Sequence, residues 1–229
     1  ELPKLLRALG GLGGRFWIRI LYGYPDAVTD DLLDTMGEMR MICRYLDVPV
    51  QHSHPDMLRA MRRAGTIRPV SELARRIRTR LPGTTLRTTC ITGFPGEGKT
   101  QFNHLRDYLR GAAFDHLGVF VYSAEEGTPA AGMPHGVSAA TARRRRGILM
   151  RDQQGAVRRT GASMAGRKVE VMVEREGDDD MWICRTRGQA PEVDGVTFLK
   201  ADAGTIRPGQ FLRAKIVAAA GYDLIAVPA

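Results

Sequence analysis

Between Phe16 and Ser123 short apolar, β-branched runs alternate with segments of helical period, and after Arg167 the helical period disappears. FWIRILYGY (16–24) reads as a strand closed by Pro25, and Thr29 caps a helix through Met39 with Asp30 and Asp31 in its first turn, where the helix dipole favours acids. YLDVPVQH (45–52) is the next strand. His54 and Pro55 open a helix through Ala64 that Gly65 stops, and Ser71, Leu73, Ile77 and Leu81 mark a further helical face. TTLRTTCIT (84–92) is a strand, Thr100 to Arg110 a helix, and HLGVFVYS (116–123) a strand. Strand, helix and strand at this rhythm require right-handed crossovers and a parallel sheet, with ligands at the carboxyl ends of the strands. Gly127 to Gly136 holds two prolines and three glycines and breaks the rhythm, after which Ser138 to Gly161 reads as one long basic helix. KVEVMVERE (168–176), MWICRTRG (181–188), VTFLKA (196–201), GQFLRAKIVAAA (209–220) and YDLIAVP (222–228) are short strands between turn residues, as a small antiparallel barrel needs. The expected division is an α/β region over 1–137, a helical linker over 138–165 and a β-barrel over 166–229.

An apolar content of 43% over 229 residues is enough for a real core. No run approaches the roughly 18 apolar residues of a membrane span. The opening ELPKLLRALGG lacks the basic region, apolar core and cleavage site of a signal peptide, so the expected compartment is the cytoplasm, with no membrane partner. Cys43, Cys90 and Cys184 lie far apart, which excludes a disulfide framework and a C-x-x-C metal or redox site, and they are expected as reduced, partly buried thiols. Net charge is unevenly spread: residues 1–165 carry 25 Lys and Arg against 15 Asp and Glu, a balance of +10, while residues 166–229 carry 9 against 10, a balance of −1. Arginines cluster at Arg59 to Arg80 and at Arg143 to Arg159. Both clusters read as solvated helix faces, with contact to nucleic acid or an acidic surface as the alternative.

The stretch Thr84 to Phe102 supports two chemistries. Gly93, Gly98, Lys99 and Thr100 satisfy the phosphate-loop pattern G-x-x-x-x-G-K-[ST] of a nucleotide triphosphatase, after a strand and before a helix. Against it, Pro95 removes a backbone donor from the nest, Phe94 puts bulk beside it, and no later strand ends in the acid that would hold magnesium. The second reading comes from RTT and GFPGE within Arg87 to Glu97, followed by Phe102. With YLDVPVQH, LRAMRR (58–63), LGVFVYSAEEGTPA (117–130) and APEVDG (190–195), in that order, the chain resembles the methylthiotransferase branch of the radical S-adenosylmethionine enzymes.

The resemblance implies a partial (βα) radical-SAM barrel, holding only its third to sixth strands, followed by the TRAM module that ends these enzymes. It also implies that residue 1 falls in the helix after the second strand, so that the chain is a C-terminal piece. The full-length enzymes use S-adenosylmethionine and iron–sulfur clusters. The C-x-x-x-C-x-x-C string that ligates the radical cluster does not occur here, so no metal ligands are assigned and His52 and His54 are expected in structural or surface roles. By the family motif the cofactor-facing residues are the turn Gly93, Phe94, Pro95 and Gly96, Ile91 along the adenine, Gln51 and Arg87 in the barrel mouth, and the strand edge Val119, Phe120, Val121 and Tyr122. Of the two branches, one modifies tRNA adenosine and the other an aspartate of a small-subunit ribosomal protein. The slightly acidic last module suits a basic protein, and APEVDG resembles the ribosomal-protein branch, so Glu174, Glu176, Asp178, Asp179 and Asp180 on one hairpin are the expected substrate-binding surface. The expected partner is that ribosomal protein, with contact to the ribosome; the tRNA enzyme is the alternative, the chain alone could serve only as a binding module, and oligomeric state stays open.

Overall fold

The computed structural model describes residues 1–63, 70–202, 204 and 206–229. The chain divides into two compact units, Glu1–Gln153 and Gln154–Ala229. Among the described residues the first unit carries one sheet of four strands in the order β1 (Ile18–Ile20), β2 (Ile42–Asp47), β3 (Thr85–Thr92) and β4 (His116–Val121), every neighbouring pair parallel. Its helices are α1 (Leu2–Gly10), α2 (Asp30–Glu38), α3 (Pro55–Ala60), α4 (Val70–Arg80), α5 (Lys99–Ala112) and the first half of α6 (Ala139–Met164). This is the α/β arrangement the alternation of periods requires.

Local chemistry sets the boundaries. Thr29 caps α2, its hydroxyl accepting from the Leu32 N–H at 3.2 Å. The apolar side of α4 is Val70, Leu73, Ala74 and Ile77, the i, i+3, i+4, i+7 stripe that turns one face to a core. Along β3 burial alternates residue by residue: Leu86, Thr88, Cys90 and Thr92 are buried, while Arg87, Thr89 and Ile91 share the half-open face. Three expected boundaries are corrected. The second strand starts at Ile42 and ends at Asp47, because Pro49 has no N–H to give and Gln51 turns to φ 63°; Gln51 rejoins β3 only through an isolated bridge to Cys90. The first strand is three residues long, since Tyr22 has φ 58° and the chain runs into a 3₁₀ turn at Pro25–Ala27. The third helix ends at Ala60, with the expected stop at Ala64 and Gly65 outside the described residues.

The second unit is a closed barrel in the order β5 (Lys168–Glu176), β6 (Met181–Thr186), β7 (Thr197–Lys200), β9 (Asp223–Pro228) and β8 (Phe211–Ala220). One joint of the expected antiparallel barrel runs parallel: β7 pairs β9 through Thr197 with Leu224, Phe198 with Ile225 and Leu199 with Ala226. Parity demands this, because a closed ring of five strands cannot alternate direction at every joint. Bulges between Val173 and Arg175 and between Ile216 and Ala218 supply the extra twist that closure needs. Val171, Val173, Trp182, Cys184, Leu199, Ile216 and Ala226 fill the interior.

Candidate functional site

At the carboxyl ends of the parallel strands lies a cavity of about 320 Å³. Gln51, Ile91 and Phe94 line it from the strand ends, Met61, Arg62 and Arg63 from the end of α3, and Thr128, Pro129 and Met133 from the segment after β4. Its wall is mostly apolar. Gln51 Oε1 is buried there without a hydrogen-bond partner, and Gln51 holds a left-handed backbone pinned to β3: its N–H donates to Thr89 O and its carbonyl accepts from the Ile91 N–H, both at 2.8 Å.

The turn from Gly93 to Glu97 borders this cavity. Gly93 and Gly96 have φ 84° and 85°, which a side chain would resist, and a Cβ at Gly93 would lie 2.4 Å from the Ala142 Cβ of α6. The need for glycine at 93 therefore comes from α6. The Glu97 side chain is fully buried and folds back into its own loop, where its carboxylate accepts from the Gly93 N–H at 2.5 Å and meets Arg145 Nη1 of α6 at 2.9 Å. Burial pushes its carboxyl above the ordinary range, opposed by the Gly93 N–H and Arg145. The N–H of Gly96 goes to His135 O at 3.0 Å, that of Glu97 to Phe94 O at 2.9 Å and that of Gly98 to Gln101 Oε1 at 3.1 Å. The loop thus holds an anion of its own where a phosphate nest would need free donors, and Lys99 and Thr100 open α5.

The other residues singled out in the sequence fall as follows. Arg87 points along the half-open face with its Nε 3.8 Å from Asp47 Oδ1, and Asp47 Oδ2 in turn accepts from the Tyr22 N–H at 3.2 Å. Sequence reasoning passed over Asp47; an acid two residues before a proline at a strand end was the available signal. Val119 is buried and its carbonyl accepts from Arg146 Nε at 2.9 Å, whereas Phe120, in register with Ile91, is 61% exposed. Val121 ends β4 and is half-buried. The Tyr122 ring meets Phe94 edge-on with centroids 5.1 Å apart, and its hydroxyl is buried without a partner. Pro95 is buried within the turn.

His52 is fully buried and its Nδ1 accepts from the His54 N–H at 3.0 Å. Burial first, then the neighbouring His54, His104 and Arg145, pushes its pKa down to about 3, so the ring is neutral. His54 Nδ1 accepts from the Asp56 N–H at 3.2 Å and caps α3. Among the described residues no three His, Cys, Asp or Glu side chains gather as a metal site needs. All three cysteines are buried; burial raises the Cys90 thiol and pushes that of Cys184 up to about 12.

In the barrel unit the acidic hairpin splits into two parts. Glu174 makes a two-pronged ion pair with the buried Arg185, while Glu176, Asp178, Asp179 and Asp180 are exposed. Asp179 and Asp180 have φ 54° and 56°, turn positions that aspartate tolerates better than most side chains. APEVDG is a structural clasp: Asp194 Oδ2 accepts from the Ala190 N–H at 2.8 Å, and a Cβ at Gly195 would lie 2.3 Å from Tyr222 O. Most of the α4 arginines serve the fold, Arg76 on Asp30, Arg78 on the carbonyls of Ala112 and Ala113, Arg80 on Asp34.

The family described as TRAM domain matches residues 165–228. The chain is 43% identical to the ribosomal protein uS12 methylthiotransferase RimO of Syntrophus aciditrophicus, over 98% of this chain and 50% of that protein. It is 39% identical to the protein of the same name from Desulfitobacterium hafniense, over 98% and 50%, and 43% identical to that from Gloeobacter violaceus, over 98% and 51%. The chain spans about half the length of the curated relatives it matches. Among solved structures, coproporphyrinogen III oxidase from Escherichia coli, described as a radical SAM enzyme, superposes with a TM-score of 0.51 at 16% identity, covering 81% of this chain and 50% of that one. That likeness speaks for the fold alone. No helix among the described residues is long and apolar enough to cross a membrane.

Proposed function

The chain belongs to the methylthiotransferase family whose curated members are named RimO, and from that premise we propose that it is part of a radical S-adenosylmethionine enzyme that methylthiolates an aspartate of ribosomal protein uS12. The observation that carries the reading is the strand-end cavity, an apolar pocket with one unanswered buried acceptor at the place where parallel α/β sheets bind ligands.

Those walls fit S-adenosylmethionine. Ile91 and Phe94 would flank its adenine, Gln51 would meet one of its N–H donors, and the Gly93 to Gly96 turn would bound the pocket; the edge of β4 from Val119 to Tyr122, which is not among the cavity's lining residues, is proposed as the adenine's backbone partner. When bound, the group supplies the methyl and, at an iron–sulfur cluster, the radical. The cysteines of this chain do not fit a cluster: they lie on three separate strands, buried, with Cys90 and Cys184 kept protonated by that burial. The ribosomal protein would meet the exposed acids Glu176, Asp178, Asp179 and Asp180, since a basic partner is drawn to such a surface. Glu174 is committed to Arg185 and adds little to it. A ribosomal substrate would put the working enzyme in the cytoplasm.

Calorimetric titration of S-adenosylhomocysteine into the chain tests the cofactor assignment: Ile91→Ala is expected to weaken binding about tenfold, roughly 1.4 kcal/mol. The substrate assignment is tested in the full-length enzyme by mass spectrometry of uS12 and of tRNA from the same reaction. A methylthiolated aspartate is expected, and modified adenosine with untouched uS12 would overturn it.

A further inference from the structure

Arg62 and Gln51 are the polar side chains of the strand-end cavity that have something left to bind. Both sit on backbone that glycine adopts at lower cost: Gln51 at φ 63° and Arg62 at φ 53°. Arg62 follows the last turn of α3, where the Arg63 N–H bonds Leu58 O at 2.7 Å and the Arg62 N–H bonds Arg59 O at 2.9 Å. In that helix ending the left-handed position usually falls to glycine. A side chain kept at a position that disfavours it is a pointer to use, and here two such residues line one pocket.

Their side chains have unmet hydrogen-bonding capacity. Gln51 Oε1 is buried without a partner. The Arg62 guanidinium is exposed at the rim and has no hydrogen-bond or ion-pair partner among the described residues. Its neighbour Arg63 is occupied, donating to Pro49 O at 3.2 Å and lying over the Tyr24 ring at 5.1 Å. One fork of N–H donors that is free among the described residues, one buried acceptor, and an aliphatic and aromatic wall between them form a specific combination. An arginine fork matches a carboxylate in two parallel bonds, and a buried carbonyl oxygen asks for an N–H.

We propose that Arg62 and Gln51 recognise an amino-acid unit, the guanidinium holding its carboxylate and Gln51 Oε1 its N–H, with Met61 against its aliphatic part. This rests on the function proposed above, which supplies two such units: the methionyl end of S-adenosylmethionine and the aspartate of the protein substrate. Where the unit held is the substrate aspartate, the pair would also select against an unmodified tRNA adenosine, which offers neither a carboxylate nor an aliphatic chain.

The test titrates the 229-residue chain and its Arg62→Gln and Arg62→Lys variants with S-adenosylhomocysteine, with a uS12 peptide carrying the target aspartate, and with the same peptide carrying asparagine. Arg62→Gln is expected to weaken at least one carboxylate ligand tenfold or more, with Lys recovering part of the loss. Loss confined to S-adenosylhomocysteine assigns the pair to the cofactor. Loss confined to the aspartyl peptide, bringing it level with the asparaginyl one, assigns it to the substrate. Unchanged affinities in Arg62→Gln overturn the pair and leave the function standing. If the parent binds neither ligand, N-acetylaspartate followed by NMR decides the pair by itself: Arg62-dependent binding keeps it and no binding removes it, while the function stands or falls by the mass spectrometry of uS12 and tRNA.

Discussion

His52 carries its imidazole fully buried and neutral, with its pKa pushed down to about 3 from an ordinary 6.5. Between those values the unfolded chain takes up a proton that the folded one refuses. The stability this group contributes is therefore complete above pH 6.5 and is lost as pH falls toward 3. His52→Asn keeps an acceptor near the His54 N–H and removes the titration. The acid limb of urea midpoints measured from about pH 3 to pH 7 should flatten, by on the order of 4 kcal/mol at the acid end. Arg62 makes the opposite case. Its left-handed backbone costs about 1–2 kcal/mol in a non-glycine residue, part of which glycine gives back through the unfolded chain. Arg62→Gly should thus raise stability in equilibrium unfolding by up to about 1 kcal/mol while abolishing Arg62-dependent ligand binding. A residue-type pattern cannot disclose this, since LRAMRR looks like an ordinary basic helix end until φ is known.

At the scale of elements, the turn after β3 is held by a partner far along the chain. Gly93→Ala would press its Cβ onto Ala142, 2.4 Å away, on backbone at φ 84°, and is expected to cost about 3 kcal/mol or more by urea unfolding. Adding Ala142→Gly should remove the clash and leave about 1–2 kcal/mol of backbone strain. A double-mutant cycle reads that difference as coupling. β3 itself was legible as a strand from its β-branched, apolar run, whereas Arg87 and Ile91 were singled out only by the family motif; that they share one face is seen in the alternating burial from Thr85 to Thr92. The sequence did not disclose why Gly93 is glycine, because the cause lies 49 residues away in α6. The start of β2 at Ile42 was missed because MICRYLD is apolar at nearly every position, so no alternation marks where pairing begins. Glu97 satisfied a family motif, and only its return into the turn revealed that it fills the nest its own loop makes. Asp178, Asp179 and Asp180, chosen for charge, stand exposed, whereas Glu174 of the same hairpin is tied to Arg185, a pairing across strands that charge counting cannot foresee.

At the scale of the whole molecule, each unit has its own apolar core, which fits the sequence's change of period and gives each the means to fold. Calorimetry is expected to resolve two transitions, and Ile216→Ala should lower one of them, by about 2–5 kcal/mol, and leave the other in place. Changing Asp178, Asp179 and Asp180 to Asn should weaken uS12 binding by about 1 kcal/mol or less per charge, with a flatter salt dependence in surface binding measurements. The odd strand number of the barrel reaches further than its topology. Four of its joints are antiparallel, while the fifth, β7 against β9, is parallel, three pairs long and joins residues 27 apart in the chain. Parallel pairing holds slightly less per residue, and a short non-local joint is the easiest to part. The barrel therefore has a seam, and its lifetime sets how the unit breathes. In native-state hydrogen exchange the amides bonded across that seam, Leu224 N–H to Val196 O at 2.9 Å among them, should exchange at lower opening free energy than those between β5 and β6. The ring would open as a sheet whose two edges are β7 and β9, long before it unfolds.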